Sequence, residues 1–139
     1  MTPRQIELVR ATFAEIAPRA PDAAALFYGR LFEVAPQLRA LFRGDLTAQG
    51  GKLMQALAAT VGGLERIDEL APALRELGRR HRGYGVADSH YEIVGGALLW
   101  TLGQGLGGKF TDEVRDAWAT AYGLVADTMK AGAALRTAA

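Results

Sequence analysis

Residues 77–86 read Leu77-Gly78-Arg79-Arg80-His81-Arg82-Gly83-Tyr84-Gly85-Val86. Extended upstream, Leu70, Leu74, Leu77, His81 and Tyr84 step by four, three, four and three, which brings side chains onto one face of an α-helix. Gly85 follows the last of them and supplies a helix stop. His81 therefore lies within an apolar stripe, where a histidine is either a hydrogen-bonded core residue or a metal ligand. Spacing by itself leaves both open. His90, the other histidine of the chain, falls in the first turn of a further helix opened by the capping-box pattern Ser89-His90-Tyr91-Glu92, and is expected to face solvent.

Outward from that helix, the same period fills the chain. Thr2-Pro3-Arg4-Gln5 fits a capping box with proline at the first helical position, ahead of Ile6, Val9, Phe13 and Ile16. Pro18 and Pro21 break this helix, and Asp22 can cap a second one, through Leu26, Phe27, Arg30 and Leu31, that stops at Pro36. Pro36 starts a short helix ending near Phe42, followed by a loop at Arg43-Gly44-Asp45. Gln49, Leu53, Leu57, Thr60 and Leu64 then recur on one helical face, with Gln49 as its one strongly polar group. The helix opened at Ser89 carries Tyr91, Val94, Leu98 and Leu102 to a glycine-rich loop around Gly107. A final helix begins after Thr111 and buries Val114, Trp118, Ala121, Val125 and Met129, and its alanine-rich end from Gly132 is expected to fray. Nothing reads as a strand, a repeat or an interdomain linker, so residues 1–139 are read as one all-α domain.

Composition narrows the chemistry. A chain of 139 residues suits one domain and typically buries roughly 70% of its unfolded surface. Half the residues are apolar, 22% are charged and the net charge is +1, the balance of an ordinary globular protein with no need of a polyanionic partner. The absence of cysteine excludes disulfides, zinc-thiolate sites, iron-sulfur clusters and cysteine nucleophiles. Arg4, Glu7 and Arg10 interrupt the N-terminal apolar pattern, and no run approaches the ~18 apolar residues of a membrane span. A cytoplasmic protein without a membrane segment is expected. Gly103, Gly105 and Gly108 have the spacing of a dinucleotide fingerprint, and residues 103–109 nearly make a phosphate loop. A helix precedes them where a strand is required, and Phe110 stands where a magnesium-binding hydroxyl belongs. Arg79, Arg80 and Arg82 form a basic cluster that reads as a solvated helix face. No order or spacing suggests a Ser/His/Asp set.

Several short patterns acquire weight jointly. Phe27-Tyr28 with Leu31-Phe32, Pro36, Leu41-Phe42, the run 77–81, Gly85-Val86, residues 90–95, Ala117-Trp118 and Ala121-Tyr122-Gly123 resemble the globin family in order and spacing over nearly the whole chain. The resemblance is to single-domain bacterial globins related to neuroglobin and to the haem domain of flavohaemoglobins. Within that group it extends to the methanotroph-type globins that carry a distal tyrosine and glutamine. It implies a globin fold of about six to eight helices packed around a pocket for haem b, iron protoporphyrin IX.

The resemblance also implies roles. His81 takes the proximal position, with Nε2 of its neutral imidazole on iron and its other nitrogen bonded to a backbone carbonyl of the same helix or to a tyrosine and carboxylate network. Tyr91 matches the tyrosine of that network. Where its glutamate should follow, late in the last helix, the chain has Lys130, Ala131, Gly132 and Ala133, a departure that argues against a strong electron push and peroxidase-like character. Phe42 matches the phenylalanine that lies flat on the haem. Leu53, four residues after Gln49 and on the same helical face, walls the distal side. Leu77, Val86 and Val94 are further expected haem contacts, while Lys52, Arg80 and the other arginines beside His81 are the expected partners of the propionates.

Gln49 occupies the position where many globins carry a distal histidine, and no other histidine can replace it, which excludes closure of the iron by two histidines. Tyr28 and Gln49 are expected to donate hydrogen bonds toward bound ligand. Bound O2 carries partial negative charge, so each such bond is worth about 1.5–3 kcal/mol, whereas the less polarised CO gains less. The alternatives are a buried Tyr28 bonded to a backbone carbonyl and a Gln49 that simply faces solvent at a helix start.

Three functions suit such a pocket. The first is reversible binding of O2, CO and NO coupled to nitric oxide dioxygenation; the second is O2 storage, transport or scavenging without turnover; the third is gas sensing through a partner protein. No flavin or nicotinamide motif is read in these residues, so turnover requires an external reductase. Neither nucleic acid nor membrane is an expected partner, and a monomer or weak dimer is expected.

Overall fold

The computed structural model describes residues 1–42 and 44–138, with side chains to residue 134. Arg43 and Ala139 lie outside the described residues, so the expected loop at 43–45 is seen only at Gly44 and Asp45. The order is α1 (Pro3–Ile16), α2 (Ala20–Val34), α3 (Leu46–Gly62), α4 (Ile67–Gly83), α5 (Asp88–Leu106) and α6 (Asp112–Ala138), with short 3-10 turns between several of them. Among the described residues there is no strand.

Local chemistry accounts for most boundaries. The Thr2 hydroxyl accepts from the Gln5 N–H at 3.1 Å and the Gln5 side chain accepts from the Thr2 N–H at 2.9 Å, the reciprocal box read from the sequence. Pro21 and Asp22 lie inside the first turn of α2 rather than ahead of it. A proline is harmless there, because the first helical N–H groups have no intrahelical partner. The 3-10 helix Pro36–Leu41 ends at Phe42, and the Asp45 carboxylate caps α3 by accepting from the Thr47 N–H at 3.0 Å. Tyr84 closes α4 and Gly85 follows at φ +97°, a left-handed value that suits glycine. Tyr84 therefore leaves the apolar stripe and is 64% exposed. The expected Ser89/Glu92 box is not formed; α5 begins at Asp88 and the Ala87 N–H donates to His90 Nδ1 at 3.0 Å, which makes His90 itself the cap. Gly103 and Gly105 fall within α5, so the glycine pattern is helix interior and not a phosphate-binding loop.

The core of α1, α2, α5 and α6 buries Val9, Phe13, Ile16, Phe27, Leu31, Leu98, Leu102, Val114 and Trp118. Its one buried indole is satisfied. Trp118 Nε1 donates to the Thr12 hydroxyl at 2.9 Å, which in turn donates to the Leu8 carbonyl at 2.7 Å. Arg10 reaches from α1 to the Val61 and Gly62 carbonyls at the end of α3, and Arg19 donates to the Gly105 carbonyl near the end of α5.

The tightest packing joins α4 to α6. A Cβ added at Gly78 would fall on the Met129 backbone, and one added at Gly132 would fall on the backbone of Arg75. The two helices touch main chain to main chain at both points. At this contact Gly132 and Ala133 are buried within α6.

Candidate functional site

α3 packs on α2 and α1, whereas α4 packs on α6, so the helices that carry Gln49 and His81 belong to different packing groups. The core divides accordingly. One cluster contains Tyr28, with Phe42, Leu53, Leu57, Ile93 and Val94 partly buried at its border. The other contains Leu74, Tyr91, Ala126 and Met129, with Leu77 and Val86 at its border. Tyr122 touches both.

His81 is half-buried on α4. Its Nδ1 lies 2.8 Å from the Leu77 carbonyl, one turn back on the same helix. A carbonyl can only accept, so Nδ1 carries a proton, and in the neutral ring the lone pair is on Nε2. Of the two acceptors expected for this nitrogen, the structure supplies the helix carbonyl. The Tyr84 ring stands 5.9 Å from the imidazole at 54°.

Tyr28 is buried on α2 among aromatic neighbours: Phe42 edge-on at 5.3 Å, Phe27 edge-on at 5.2 Å and Phe32 stacked at 5.9 Å. Burial holds its hydroxyl above the usual tyrosine range, so it stays a protonated donor at neutral pH. Gln49 lies half-buried in the first turn of α3. The residue after it explains how α3 reaches Tyr28: a Cβ on Gly50 would stand 2.9 Å from Ala24 Cβ and 3.8 Å from the Tyr28 ring. Gly50 thus permits a close helix crossing.

The structure thus brings Tyr28, Phe42, Leu53 and Val94 to one cluster and Leu77, Val86 and Tyr91 to the other. It does not bring Lys52 or Arg80 to either; both are exposed, and Arg80 lies 3.7 Å from Glu76. Arg79 also engages Glu76, and its hydrogen bond holds that carboxyl below the ordinary range. Tyr91 is buried, which raises its hydroxyl above the usual value, with the charge of Asp88 adding to the shift. Leu57, Ile93 and Tyr122 were missed as lining residues. Leu57 was legible, since it shares the helical stripe of Gln49 and Leu53.

These residues fit a haem. Among the described residues no group of three or more His, Cys, Asp or Glu could chelate a bare ion. A haem iron, held by its macrocycle, would need only one imidazole nitrogen from the protein. His81 can offer that nitrogen, and the two clusters supply apolar side chains.

Comparisons with known proteins agree with this fold. Residues 25–129 match the family model described as Globin. The chain is 38% identical over 133 residues to a flavohemoprotein of Bordetella parapertussis, covering 93% of this chain and 33% of that protein. It is 28% identical over 127 residues to a flavohemoprotein of Bacillus subtilis, covering 89% and 32%. The chain therefore spans about a third of the length of the curated relatives it matches. Among solved structures, an engineered carbene transferase from Rhodothermus marinus, assigned as a nitric oxide dioxygenase, superposes with a TM-score of 0.88 at 28% identity, covering 99% of this chain and 96% of that one. A bacterial globin from Campylobacter jejuni superposes with a TM-score of 0.88 at 21% identity, covering 99% and 100%, a likeness of fold.

Proposed function

Because the chain belongs to the globin family, we propose that it holds haem b through His81, binds O2, CO and NO, and converts NO to nitrate when an external reductase supplies electrons. The observation that carries this reading is the 2.8 Å bond from His81 Nδ1 to the Leu77 carbonyl, which fixes the tautomer and leaves Nε2 to bind a metal. Haem, when bound, would supply a ferrous iron able to take a diatomic gas. The protein does the rest. His81 presents a neutral imidazole, Tyr28 and Gln49 offer an O–H and an N–H to a polarised ligand, and Phe42, Leu53 and Val94 keep water out. Leu77, Val86 and Tyr91 line the histidine side, and Lys52 and Arg80 stand at the surface as partners for the propionates. The net reaction, NO + O2 + e⁻ → NO3⁻, balances with one electron from outside. The name of the Rhodothermus marinus neighbour supports this choice.

The Tyr28→Phe variant isolates one donor, since it removes only the hydroxyl. O2 dissociation should accelerate about tenfold to a hundredfold, the equivalent of a bond worth ~1.5–3 kcal/mol, while CO release changes far less. Stopped-flow displacement of O2 by CO reads this directly, and unchanged kinetics would remove Tyr28 from the ligand side.

A second reading, O2 holding without turnover, is favoured by the neutral acceptor at His81 Nδ1, which gives the ring less electron push than a carboxylate would. Turnover separates the two. With NO, O2, NADH and a flavin reductase, the dioxygenase reading expects many equivalents of nitrate per chain. A single equivalent under efficient reduction leaves O2 holding as the function.

A further inference from the structure

The end of α6 presses its backbone onto the helix that carries His81. Main chain meets main chain at Gly78 against Met129 and at Gly132 against Arg75, so residues 129–132 lie against the turn of α4 that precedes the histidine. Lys130 is part of this contact segment. Its stem is half-buried, and its ammonium nitrogen stands 5.5 Å from the centre of the Tyr91 ring. An aromatic face attracts a cation, which favours this inward position over free movement in solvent. Tyr91 in turn belongs to the cluster against which Leu77 and Val86 pack, and its backbone carbonyl accepts from the Tyr122 hydroxyl at 2.5 Å. The Leu77 carbonyl in that same wall is the one that holds His81 Nδ1. Among the described residues Lys130 forms no ion pair.

We propose that Lys130 is a positioning residue for the iron's oxidation state: a positive charge held against Tyr91, on the histidine side of the pocket, that biases the site toward ferrous. The proposal rests on the haem reading above. A ferric site carries one more positive charge than a ferrous one, so a nearby fixed cation disfavours oxidation. In partly buried surroundings that repulsion is screened less than at the open surface. The functional consequence is a site that accepts its electron more readily and surrenders it more slowly.

Spectroelectrochemical titration of the haem-loaded chain tests this in a series ordered by charge. Lys130→Arg should keep the wild-type midpoint. Lys130→Met, which retains the apolar stem, should lower the ferric-to-ferrous equilibrium constant about threefold to tenfold, or ~30–60 mV at 59 mV per tenfold for one electron. Lys130→Glu should lower it further. A purely structural role would not follow charge or be rescued by arginine. Identical midpoints in variants that load haem and keep their helix content would overturn the proposal and leave the haem reading intact. A wild-type chain that takes up no hemin would overturn that reading, and this inference with it. Should Lys130→Glu not load, the arginine and methionine variants decide the matter between them.

Discussion

Replacing His81 with glycine yields a folded chain that no longer retains haem, and added imidazole restores part of the Soret absorbance. The expectation follows from the donor inventory. The chain has two histidines and no cysteine, and His90 is spent as the acceptor for the Ala87 N–H at the start of α5. No second imidazole stands ready to replace the first. The fold itself should survive, because His81 lies in the last turns of α4 and packs mainly beside Tyr84, so the change costs only about 1 kcal/mol of helix propensity. Far-ultraviolet circular dichroism and a hemin titration on the same sample separate the two effects. Retention of a wild-type haem spectrum by the His81→Gly variant would end the proposed ligation.

A comparably large effect is expected at a residue with no chemistry at all. Gly78→Ala adds a single methyl where the Met129 backbone already stands, and backbone cannot rotate away as a side chain can. Overpacking of this kind costs about 1–3 kcal/mol. The rigid obstacle places this site at the upper end, even after alanine's better helix propensity returns up to ~1 kcal/mol. A fall in melting temperature of roughly 10 °C is therefore expected. Because α4 must move away from α6 to relieve the clash, His81 should move with it and hemin affinity should fall as well. Chemical denaturation that finds Gly78→Ala as stable as wild type would mean that the two helices are not in main-chain contact.

The two sites differ in how visible they were. The importance of His81 could be read from its place in a stripe of leucines, from the scarcity of other metal ligands and from the patterns around it. The tautomer could not, since two acceptors remained open until the Leu77 carbonyl was found at 2.8 Å. Gly78 gave no signal of its own kind, because a glycine within a helical pattern looks the same whether it weakens the helix or admits a neighbour. Gly50 gave no signal for the same reason. The register of capping at the start of α5 was also hidden: Ser89 and Glu92 have the pattern of a box, yet the helix begins two residues earlier than that box requires and His90 does the capping.

The all-helical class and the helix starts at Pro3 and near Pro36 were contained in the sequence, and the family resemblance of its motifs marked His81, Tyr28 and Gln49 as candidates. The class and the helix starts depend on spacing along one helix or on residue chemistry that needs no partner. The approach of α4 to α6 at Gly78 and Gly132, the crossing of α2 and α3 at Gly50, the burial of Gly132 and Ala133 and the position of Lys130 over Tyr91 were decided only by the tertiary structure. Helical period says which face a residue occupies, but the separation of two helices is set by the smallest side chains that happen to face each other across them, and those come from distant parts of the chain.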